Sequence, residues 1–424
     1  MIFRDSIDKE LYDSFVSEHE KSHFMQSAAW GEFNEIERKI NPHYVGMQDE
    51  SGNLVAAALL LERKPPLLPP YFYSPRGFVI DFFDAILLDN FTKAVVRYCK
   101  MKGAMFLKID PDIELRAIDT TGAPISGGFN NEELVERLKN AGFSHLGFNL
   151  GFEHRQPRYT FRIDLNCSEQ AILERLEGNV IKNARKGEAN YDTEIYIGGS
   201  EDIHELFKLI SQTSKRDKFF AFPEKYYQNF YNVLNNYGMV TLYLGRTFTE
   251  KTIQKLKKQL EVLRLRKTGY AKKQRIIQAE QTERRLEKEI SLFQDYSKKY
   301  GKQKITSAHM VVRYGCHAWA VHAGSADDMK ETFLNNRVYL HKILDQKKKG
   351  AVWFDLFGAV GNPKDNQLGS LHEFKKQFGG RYIEFIGEFD MIIRPFWYNV
   401  YVKALPKYRS LLFDIRGLLR KQKN

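Results

Sequence analysis

Apolar and polar positions in the first 155 residues alternate with the periods of helices and strands. Apolar residues spaced three and four apart predict helices at 9–18, 84–102 and 131–141. A near-continuous apolar run at 54–62 predicts a buried strand, and another strand is predicted at 104–110. This later strand ends in Asp110 and Pro111, at the kind of edge where open α/β sheets place ligand-contacting side chains. The pattern therefore predicts an α/β unit with a functional edge.

The same succession of strands and helices recurs from residue 156 onward. Strands are predicted at 159–165, 193–197, 238–244 and 305–313, and helices at 201–214, 223–236 and 328–347. The order repeats without clear internal sequence identity. We therefore expect a second α/β unit that resembles the first in architecture.

An insertion at 249–301 interrupts the second unit. Its apolar residues step by three and four along two segments: Ile253, Leu256, Leu260 and Leu263, then Ile276, Ala279, Leu286, Ile290 and Phe293. Thr268 and Gly269 separate the two segments. Two heptad-like seams on either side of a glycine predict an antiparallel coiled-coil hairpin of helices.

The segment after this insertion ends in a strand, a polar loop and a lysine-bearing helix. A short buried strand at 352–355 is followed by a loop containing glycine and proline, and then by a helix that carries Lys375. Two consecutive glycines end this helix, and an alternating pattern predicts a single strand at 382–389. Asp355 and Lys375 are therefore expected to converge on one pocket.

Composition limits the class of protein. The 424 residues, 43% of them hydrophobic, are enough for about two or three folded domains. Three isolated cysteines without metal-ligand spacing predict neither a disulfide framework nor a metal site. The acidic N-terminal segment and the lack of an apolar run of about 18 residues predict a protein that is neither exported nor membrane-spanning. We therefore expect it to be cytoplasmic.

Charge predicts an anionic partner, since the net charge is +12, but it leaves tRNA, lipid headgroups and a nucleotide diphosphate open. Residues 251–300 hold 15 basic against 6 acidic residues, and residues 401–424 hold 7 against 1. The hairpin is therefore either a solvated brace or an arm that lies along tRNA phosphates. The basic amphipathic tail at 404–424 either packs on the first unit or makes peripheral contact with an anionic membrane surface.

Several short motifs lie in order along nearly the whole chain. They are Gln26-Ser27-x-x-Trp30, Ser74-Pro75-Arg76-Gly77, Lys108-Ile109-Asp110-Pro111, Gln156-Pro157-Arg158, Arg216-Asp217-x-Phe219, D-x-x-G from Asp355, L-x-x-F-K-K-x-F-G from Leu371 and I-G-E-F-D from Ile386. In this order they resemble the motifs of the Fem-type (FemABX) aminoacyltransferases. These enzymes take an amino acid from aminoacyl-tRNA and add it to the stem peptide of a peptidoglycan precursor.

The resemblance implies a mixed α/β fold with two tandem GNAT-like acyltransferase domains and an inserted antiparallel coiled-coil arm. The implied boundaries are 1–155, completed by 390–405, for the first domain, 156–248 plus 302–389 for the second, 249–301 for the arm and 404–424 for the tail.

The resemblance also implies a reaction and the residues that perform it. An amino acid of the glycine, alanine or serine class passes from aminoacyl-tRNA, without a cofactor, to a lipid-linked or UDP-linked muropeptide. Asp110, with Asp112 second, is expected to handle the proton of the acceptor amine, and Lys375 the aminoacyl end. The expected substrate-binding residues are Arg76, Asp355, Arg216, Phe220 and Phe374.

Two positions depart from the family pattern. Phe220 stands where that pattern has a tyrosine, and Asn34 stands where it has a lysine. These changes alter the phosphate contacts expected around Arg216. They suit a lipid-linked precursor that is held differently from a nucleotide-linked one.

Two other functions stay open at this level. Residues 266–271 match the pyrophosphate loop of CoA-dependent acetyltransferases, but they fall at the tip of the predicted hairpin instead of between a strand and a helix. A CoA-dependent acyltransferase is therefore the weaker alternative within enzymes, and a tRNA- or membrane-binding module without catalysis is the other. His322 is expected to be a core histidine, and the oligomeric state is left open.

Overall fold

The computed structural model describes residues 1–151, 155–217, 219–365 and 368–404. Its strands are β1 (Ile2–Arg4), β2 (Asn41–Gln48), β3 (Leu54–Arg63), β4 (Tyr71–Ser74), β5 (Phe106–Ile109), β6 (Glu114–Ala117), β7 (Phe143–His145), β8 (Tyr159–Asp164), β9 (Thr193–Gly198), β10 (Val240–Phe248), β11 (Gln303–Tyr314), β12 (His317–Ser325), β13 (Trp353–Asp355), β14 (Arg381–Phe385) and β15 (Phe389–Ile392). The predicted tail, beyond Ala404, lies outside the described residues.

The α-helices account for most of the remaining chain. They are α1 (Lys9–Glu18), α2 (Ala28–Arg38), α3 (Ala85–Met101), α4 (Glu132–Asn140), α5 (Glu169–Arg175), α6 (Gly178–Asn190), α7 (Ile203–Asp217), α8 (Glu224–Asn236), α9 (Thr249–Lys267), α10 (Lys273–Tyr300), α11 (Leu334–Lys348), α12 (Gly369–Lys376) and α13 (Pro395–Asn399). Within the described ranges, none of them combines the length and the apolar composition that a membrane crossing requires.

The strands form two mixed sheets. The first has the order β1-β2-β3-β4-β5-β15-β7, and the second has the order β6-β14-β8-β13-β12-β11-β10-β9. In each sheet one neighbouring pair is parallel, β4 with β5 and β12 with β13. The neighbouring pairs on either side of these are antiparallel. The predicted mixed α/β class, with two sheet-based units, is therefore confirmed.

Two strands cross between the units. β6, at residues 114–117 and early in the sequence, joins the second sheet, whereas β15, late in the sequence, lies between β5 and β7 of the first. The prediction of one strand at 382–389 is therefore wrong, because β14 ends at Phe385 and the chain turns through Gly387 at φ +97° before β15 begins. Residues 382–391 are all buried, including Glu384, Glu388 and Asp390, so no exposed turn marks the crossing.

An apolar core joins the two units. Helix α2 begins where it does because the Ser27 side chain accepts the Trp30 amide N–H at 3.0 Å. On its buried face, Trp30 and Phe33 pack against Phe230 of α8, with ring centroids 6.2 Å and 5.3 Å away. Residues of β10, β11 and β12 extend the same cluster. Aromatic side chains of α2 and α8 therefore pack together where the two units meet.

The predicted insertion forms two helices, α9 and α10, joined by a short turn. They share a buried apolar cluster that includes Leu256, Leu260, Leu286, Ile290 and Phe293. At the base, Tyr191 stacks on Phe293 at 5.4 Å, and the Lys255 Nζ donates to the Tyr191 carbonyl at 3.1 Å. Exposed ion pairs, such as Arg264 with Glu283, join the outer faces. The supercoil implied by the heptad-like seams stays a prediction.

Candidate active site

A cluster of charged side chains lies where the two sheets meet. At its centre is Arg162 of β8, whose Nη2 lies 3.0 Å from both carboxylate oxygens of Asp112 and 3.0 Å from Asp355 Oδ2. The guanidinium also stacks over the Trp353 ring at 4.1 Å. Only 13% of the Arg162 side chain is exposed, so these contacts replace most of its hydration. The three charged groups therefore form one preorganised cluster.

Strand geometry produces this cluster. Along β8, Thr160 and Arg162 alternate with apolar residues and therefore lie on one face of the strand. Arg162 and Asp355 are directly opposite each other in the antiparallel pair of β8 and β13, which places their Cβ atoms about 5 Å apart. Asp355 also accepts the Thr160 hydroxyl and the Phe357 amide N–H, the latter at 2.7 Å. Three groups therefore hold the Asp355 carboxylate at the end of β13: the Arg162 guanidinium, the Thr160 hydroxyl and the Phe357 amide.

Lys375 lies behind the loop that follows β13. It belongs to α12 and is buried, and its Nζ donates to the carbonyls of Phe357 and Gly358, the latter at 2.6 Å. Burial lowers the pKa of Lys375 to about 8, and the charge of Asp355 opposes this shift. The structure therefore brings Asp355 and Lys375 to one short loop.

Asp110 lies on the first-unit side of the same region, directly after β5. It is buried, and it accepts the Tyr73 hydroxyl at 2.8 Å and the Arg76 amide N–H at 2.7 Å. The Arg76 guanidinium lies 4.4 Å from the Phe385 ring centroid and donates to the Pro157 carbonyl at 2.8 Å. Burial raises the pKa of Asp110 to about 7, although the charge of Arg76 opposes the rise. Burial therefore gives Asp110 a higher affinity for a proton than an exposed aspartate has.

Asp112, two residues further on, shows the opposite behaviour. Burial alone would raise the pKa of Asp112, but the guanidinium of Arg162 outweighs it and lowers this pKa below its ordinary value. A small cavity between the sheets is lined by Asp112 and Asp355, together with Arg76. Asp110 is not among its lining residues and reaches it through the Arg76 amide. Asp112 therefore borders the cavity, whereas Asp110 has the higher affinity for a proton.

Neighbouring histidines are excluded as proton acceptors near neutral pH. Burial lowers the pKa of His23 well below its ordinary value, and it lowers the pKa of His317 to about 4. His322 is partly buried and packs against Tyr226, Tyr227 and Phe230, and burial lowers its pKa to about 4 as well. Its aromatic surroundings fit the expected core position, but its Nε2 has no hydrogen-bond partner within the described chain.

Sequence reasoning missed the arginines of this region. Arg162 was not predicted, and Arg158 was quoted only as part of a motif, yet Arg158 forms a buried ion pair with Glu384 and donates to the Phe385 carbonyl at 3.1 Å. The signal was a charged residue inside the otherwise apolar strand at 159–165. A buried charge of this kind costs free energy unless a partner is present, so it predicts one.

Three of the predicted substrate-binding residues are not brought into the Arg162 cluster. Arg216, at the end of α7, forms ion pairs with two aspartates at its own end of the second unit. Phe220 is fully exposed. Phe374 is partly buried and packs among aromatic residues of α11 and α12. Their predicted contact with a substrate stays a prediction.

The CoA-like motif lies where the sequence analysis placed it. Residues 266–271 run from the end of α9 into the turn of the hairpin. A pyrophosphate loop needs a strand before it and a helix N-terminus after it that is directed at the phosphates. A helix precedes this segment instead, so the match does not support CoA binding.

Comparisons with known proteins cover nearly the whole chain. A family model described as the FemAB family matches residues 7–405. The proteins named lipid II:glycine glycyltransferase from Staphylococcus haemolyticus and Staphylococcus aureus are 24% and 23% identical to this chain, over 98% of it and 99% of each relative. The crystal structure of FemX is similar with a TM-score of 0.78 and 22% identity, over 94% of this chain and 99% of that chain. The likeness therefore extends to both sheets.

Proposed function

The chain belongs to the FemAB family, and on that premise we propose that it is an aminoacyltransferase that extends the stem peptide of a peptidoglycan precursor. The name shared by the staphylococcal relatives favours glycine as the transferred residue and a lipid-linked acceptor. Aminoacyl-tRNA is the proposed donor, without a further cofactor, because its ester is already activated for attack by an amine. A lipid-linked acceptor would bring the enzyme to the cytoplasmic face of the membrane.

The observation that carries the chemistry is the contrast between Asp110 and Asp112. An acceptor ammonium must lose a proton before it attacks an ester, and the best acceptor for that proton has a pKa near the working pH. Asp110, with a pKa of about 7, has that property, and its hydrogen-bond partner Arg76 lines the cavity. In the proposed step one water molecule passes the proton from the acceptor ammonium to the Asp110 carboxylate, since the Arg76 amide itself does not relay a proton. Asp112 borders the cavity as an ionised partner of Arg162 and attracts the ammonium. Asp110 is therefore the proposed proton acceptor.

The donor ester is proposed to meet the loop held by Lys375. Negative charge develops on the carbonyl oxygen of the ester during attack, and a preorganised positive charge stabilises it. The Lys375 ammonium lies directly beneath the carbonyls of Phe357 and Gly358, which line the same cavity as Asp112. Its removal should therefore slow transfer even where both substrates still bind.

The test is transfer of radiolabel from tRNA charged separately with glycine, alanine or serine. Each donor is offered with a lipid-linked and with a UDP-linked muropeptide, to the wild type, to Lys375→Met and to Lys376→Met. Lys376 is the matched control, because its Nζ pairs with Glu373 on the outer side of the same helix. We expect transfer of glycine to the lipid-linked acceptor, a rate reduced at least roughly 100-fold in Lys375→Met, and a normal rate in Lys376→Met.

Two results would contradict this proposal. Transfer that requires CoA would assign the chain to the CoA-dependent acyltransferases. A folded protein that binds tRNA but transfers nothing to either acceptor would make it a binding module without catalysis.

We further propose that the hairpin of α9 and α10 contacts tRNA. Several of its basic residues are exposed and form no ion pair within the described chain, among them Lys257, Lys258, Arg275 and Arg284. Replacing all four by Gln should weaken tRNA binding and flatten its salt dependence by ~0.7–0.9 in the logarithmic slope for each phosphate that is no longer neutralised. An unchanged slope, measured by titration at several salt concentrations, would make the hairpin a brace.

A further inference from the structure

A second cavity, of about 400 Å³, lies in the first unit beside the C-terminal end of α2. The end of β3 and the proline-containing segment after it form one wall, and the start of β4 forms another. Its charged lining consists of Arg38, Lys39, Arg63, Lys64 and Arg155 with the single acid Glu62. We call this cavity the basic pocket.

The one carboxylate of the basic pocket is already occupied by other partners. Glu62 lies 3.2 Å from the His43 Nε2 and 3.1 Å from the Lys64 Nζ. It also accepts a hydrogen bond from Asn41 at 3.3 Å. Glu62 and Lys64 therefore neutralise each other, so no carboxylate that lines the pocket is left to neutralise its other basic side chains.

The four remaining cations, Arg38, Lys39, Arg63 and Arg155, form no ion pair within the described chain, and the buried Nε of Arg63 has no hydrogen-bond partner there. Burial alone would lower the pKa of Arg155, but neighbouring tyrosines and the charge of Glu388 outweigh it and raise this pKa. Burial lowers the pKa of Arg63, and the charge of Arg155 lowers it further. Positive groups that repel one another in a partly dry cavity are stabilised when an anion binds between them.

Two tyrosines hold the guanidinium groups in place. The Arg155 Nη2 donates to the Tyr71 hydroxyl at 2.5 Å, and the guanidinium carbons of Arg155 and Arg63 both lie 5.7 Å from the Tyr73 ring centroid. The hydroxyl of the same Tyr73 donates to Asp110. One tyrosine side chain therefore separates the basic pocket from the proposed proton acceptor.

The phosphate contact that the sequence placed at Arg216 is weakened in the structure. The Arg216 guanidinium is paired with Asp217 and Asp327, each at 2.9 Å. Asn34 is buried and donates to the carbonyl of Trp30 in its own helix. A phosphate at Arg216 would have to compete with two carboxylates, whereas a phosphate in the basic pocket would compete with none outside the pair of Glu62 and Lys64.

We propose, on the basis of the function proposed above, that the basic pocket binds the diphosphate group of the acceptor substrate. Guanidinium groups form paired, charge-assisted hydrogen bonds with phosphate oxygens, and several of them around one cavity match the charge of a diphosphate. The sugar and stem peptide of the acceptor would then extend from the basic pocket toward the cavity between the sheets, around the buried side chain of Tyr73. The lipid-linked and UDP-linked acceptors share this diphosphate, so the experiment offers both.

The first experiment measures binding of inorganic pyrophosphate to the full chain by titration calorimetry and by its effect on Tm. The variants are Arg63→Gln and Arg155→Gln. The control is Arg246→Gln in β10 of the second sheet, where the Arg246 guanidinium is paired with Glu194 of β9. Pyrophosphate should bind the wild type and the control and raise their Tm. Each pocket variant should bind it roughly 10-fold to 100-fold more weakly. Equal binding by all four proteins, or by none, would overturn the proposal.

The second experiment measures steady-state transfer with each acceptor. In Arg63→Gln and Arg155→Gln, the KM for the acceptor should rise by about the same factor as pyrophosphate affinity falls, while kcat and the KM for aminoacyl-tRNA stay near those of Arg246→Gln. The acceptor that shows the effect identifies the source of the diphosphate. A rise in the KM for aminoacyl-tRNA instead would assign the pocket to tRNA phosphates and overturn the proposal. A wild type without transfer would refute the proposed function, and the calorimetry would still decide whether the pocket binds a diphosphate.

Discussion

The two parallel strand pairs end in aspartates that occupy equivalent places and have different partners. Asp110 follows β5 of the first sheet, and Asp355 ends β13 of the second. Asp110 accepts hydrogen bonds from neutral donors, the Tyr73 hydroxyl and the Arg76 amide, whereas Asp355 faces the guanidinium of Arg162. A buried carboxyl whose hydrogen-bond donors are neutral can take up a proton, whereas a guanidinium partner favours the charged form of a carboxyl. Partners, and not topology, therefore decide what each strand end can do.

The largest effect is expected from Arg162→Met, at the end of β13 where Asp355 is paired with a guanidinium. This change leaves Asp112 and Asp355 buried without their cation, and breaking a buried pair in this way typically costs ~3–5 kcal/mol. We expect the free energy of unfolding in urea to fall by an amount of that order, and transfer to be lost. Arg175→Met is the control, because Arg175 pairs with Asp164 at an exposed position where such pairs are worth ~0–1 kcal/mol. If Arg162→Met and Arg175→Met lose equal amounts of unfolding free energy, the ion pair at the end of β13 contributes no more than an exposed one, and the contrast with Asp110 does not hold.

A smaller effect, which depends on pH, is expected from Asp110→Asn, after β5 where the aspartate accepts hydrogen bonds from neutral donors. The pKa of Asp110 is raised from 3.8 to about 7 in the folded chain, so its protonated form stabilises the fold fully below pH 3.8. That contribution is lost as the pH rises to about 7. Across this window the unfolding free energy of the wild type should fall relative to Asp110→Asn by ~1 kcal/mol per pH unit.

The matched variant for this measurement is Asp112→Asn. The folded pKa of Asp112 is lowered, so its carboxylate stabilises the fold above its ordinary pKa of 3.8 and loses that effect as the pH falls further. Urea titrations from pH 2 to pH 8 should therefore show opposite trends in two separate windows. Relative to Asp110→Asn, the wild type should lose stability as the pH rises from 3.8 to about 7, and relative to Asp112→Asn it should lose stability as the pH falls below 3.8. Parallel curves would mean that the two aspartates have the same surroundings in solution.

The smallest effect is expected from Tyr73→Phe. Without the hydroxyl, Asp110 loses a donor that favours its charged form, so the pKa of Asp110 should rise further. If Asp110 is the proton acceptor proposed above, the ascending limb of kcat/KM against pH should shift to higher pH in Tyr73→Phe and disappear in Asp110→Asn. The loss of one hydrogen bond should cost about 1 kcal/mol of stability. A limb that stays in place in both variants would assign proton transfer to another group.

Local sequence patterns predicted most helices and strands, because each depends on neighbours close in the chain. Asp355 and Lys375 lie on either side of one loop, as their order along the chain suggested. Only Asp355 is among the residues that line the cavity, so their convergence on one pocket stays a prediction. The position of Arg162 was not predicted, because it depends on which residue of β13 lies opposite it, and that register joins residues almost two hundred positions apart. The basic pocket was missed for the same reason, since its arginines come from three distant segments. The boundary at Gly387 was missed because burial continues on both sides of it.

The insertion of β15 between β5 and β7 has a consequence for synthesis on the ribosome. β5 and β7 emerge early, but the strand that joins them is translated almost at the end of the described chain. At ordinary elongation rates this interval lasts roughly 10 to 50 s, during which β5 has one open edge and β7 has no partner strand. The nascent first sheet is therefore a substrate for chaperones that cover unpaired strand edges. Arg162, Asp355 and Lys375 are likewise translated after the aspartates of the first unit, so the charged cluster is complete only after the second unit has been translated.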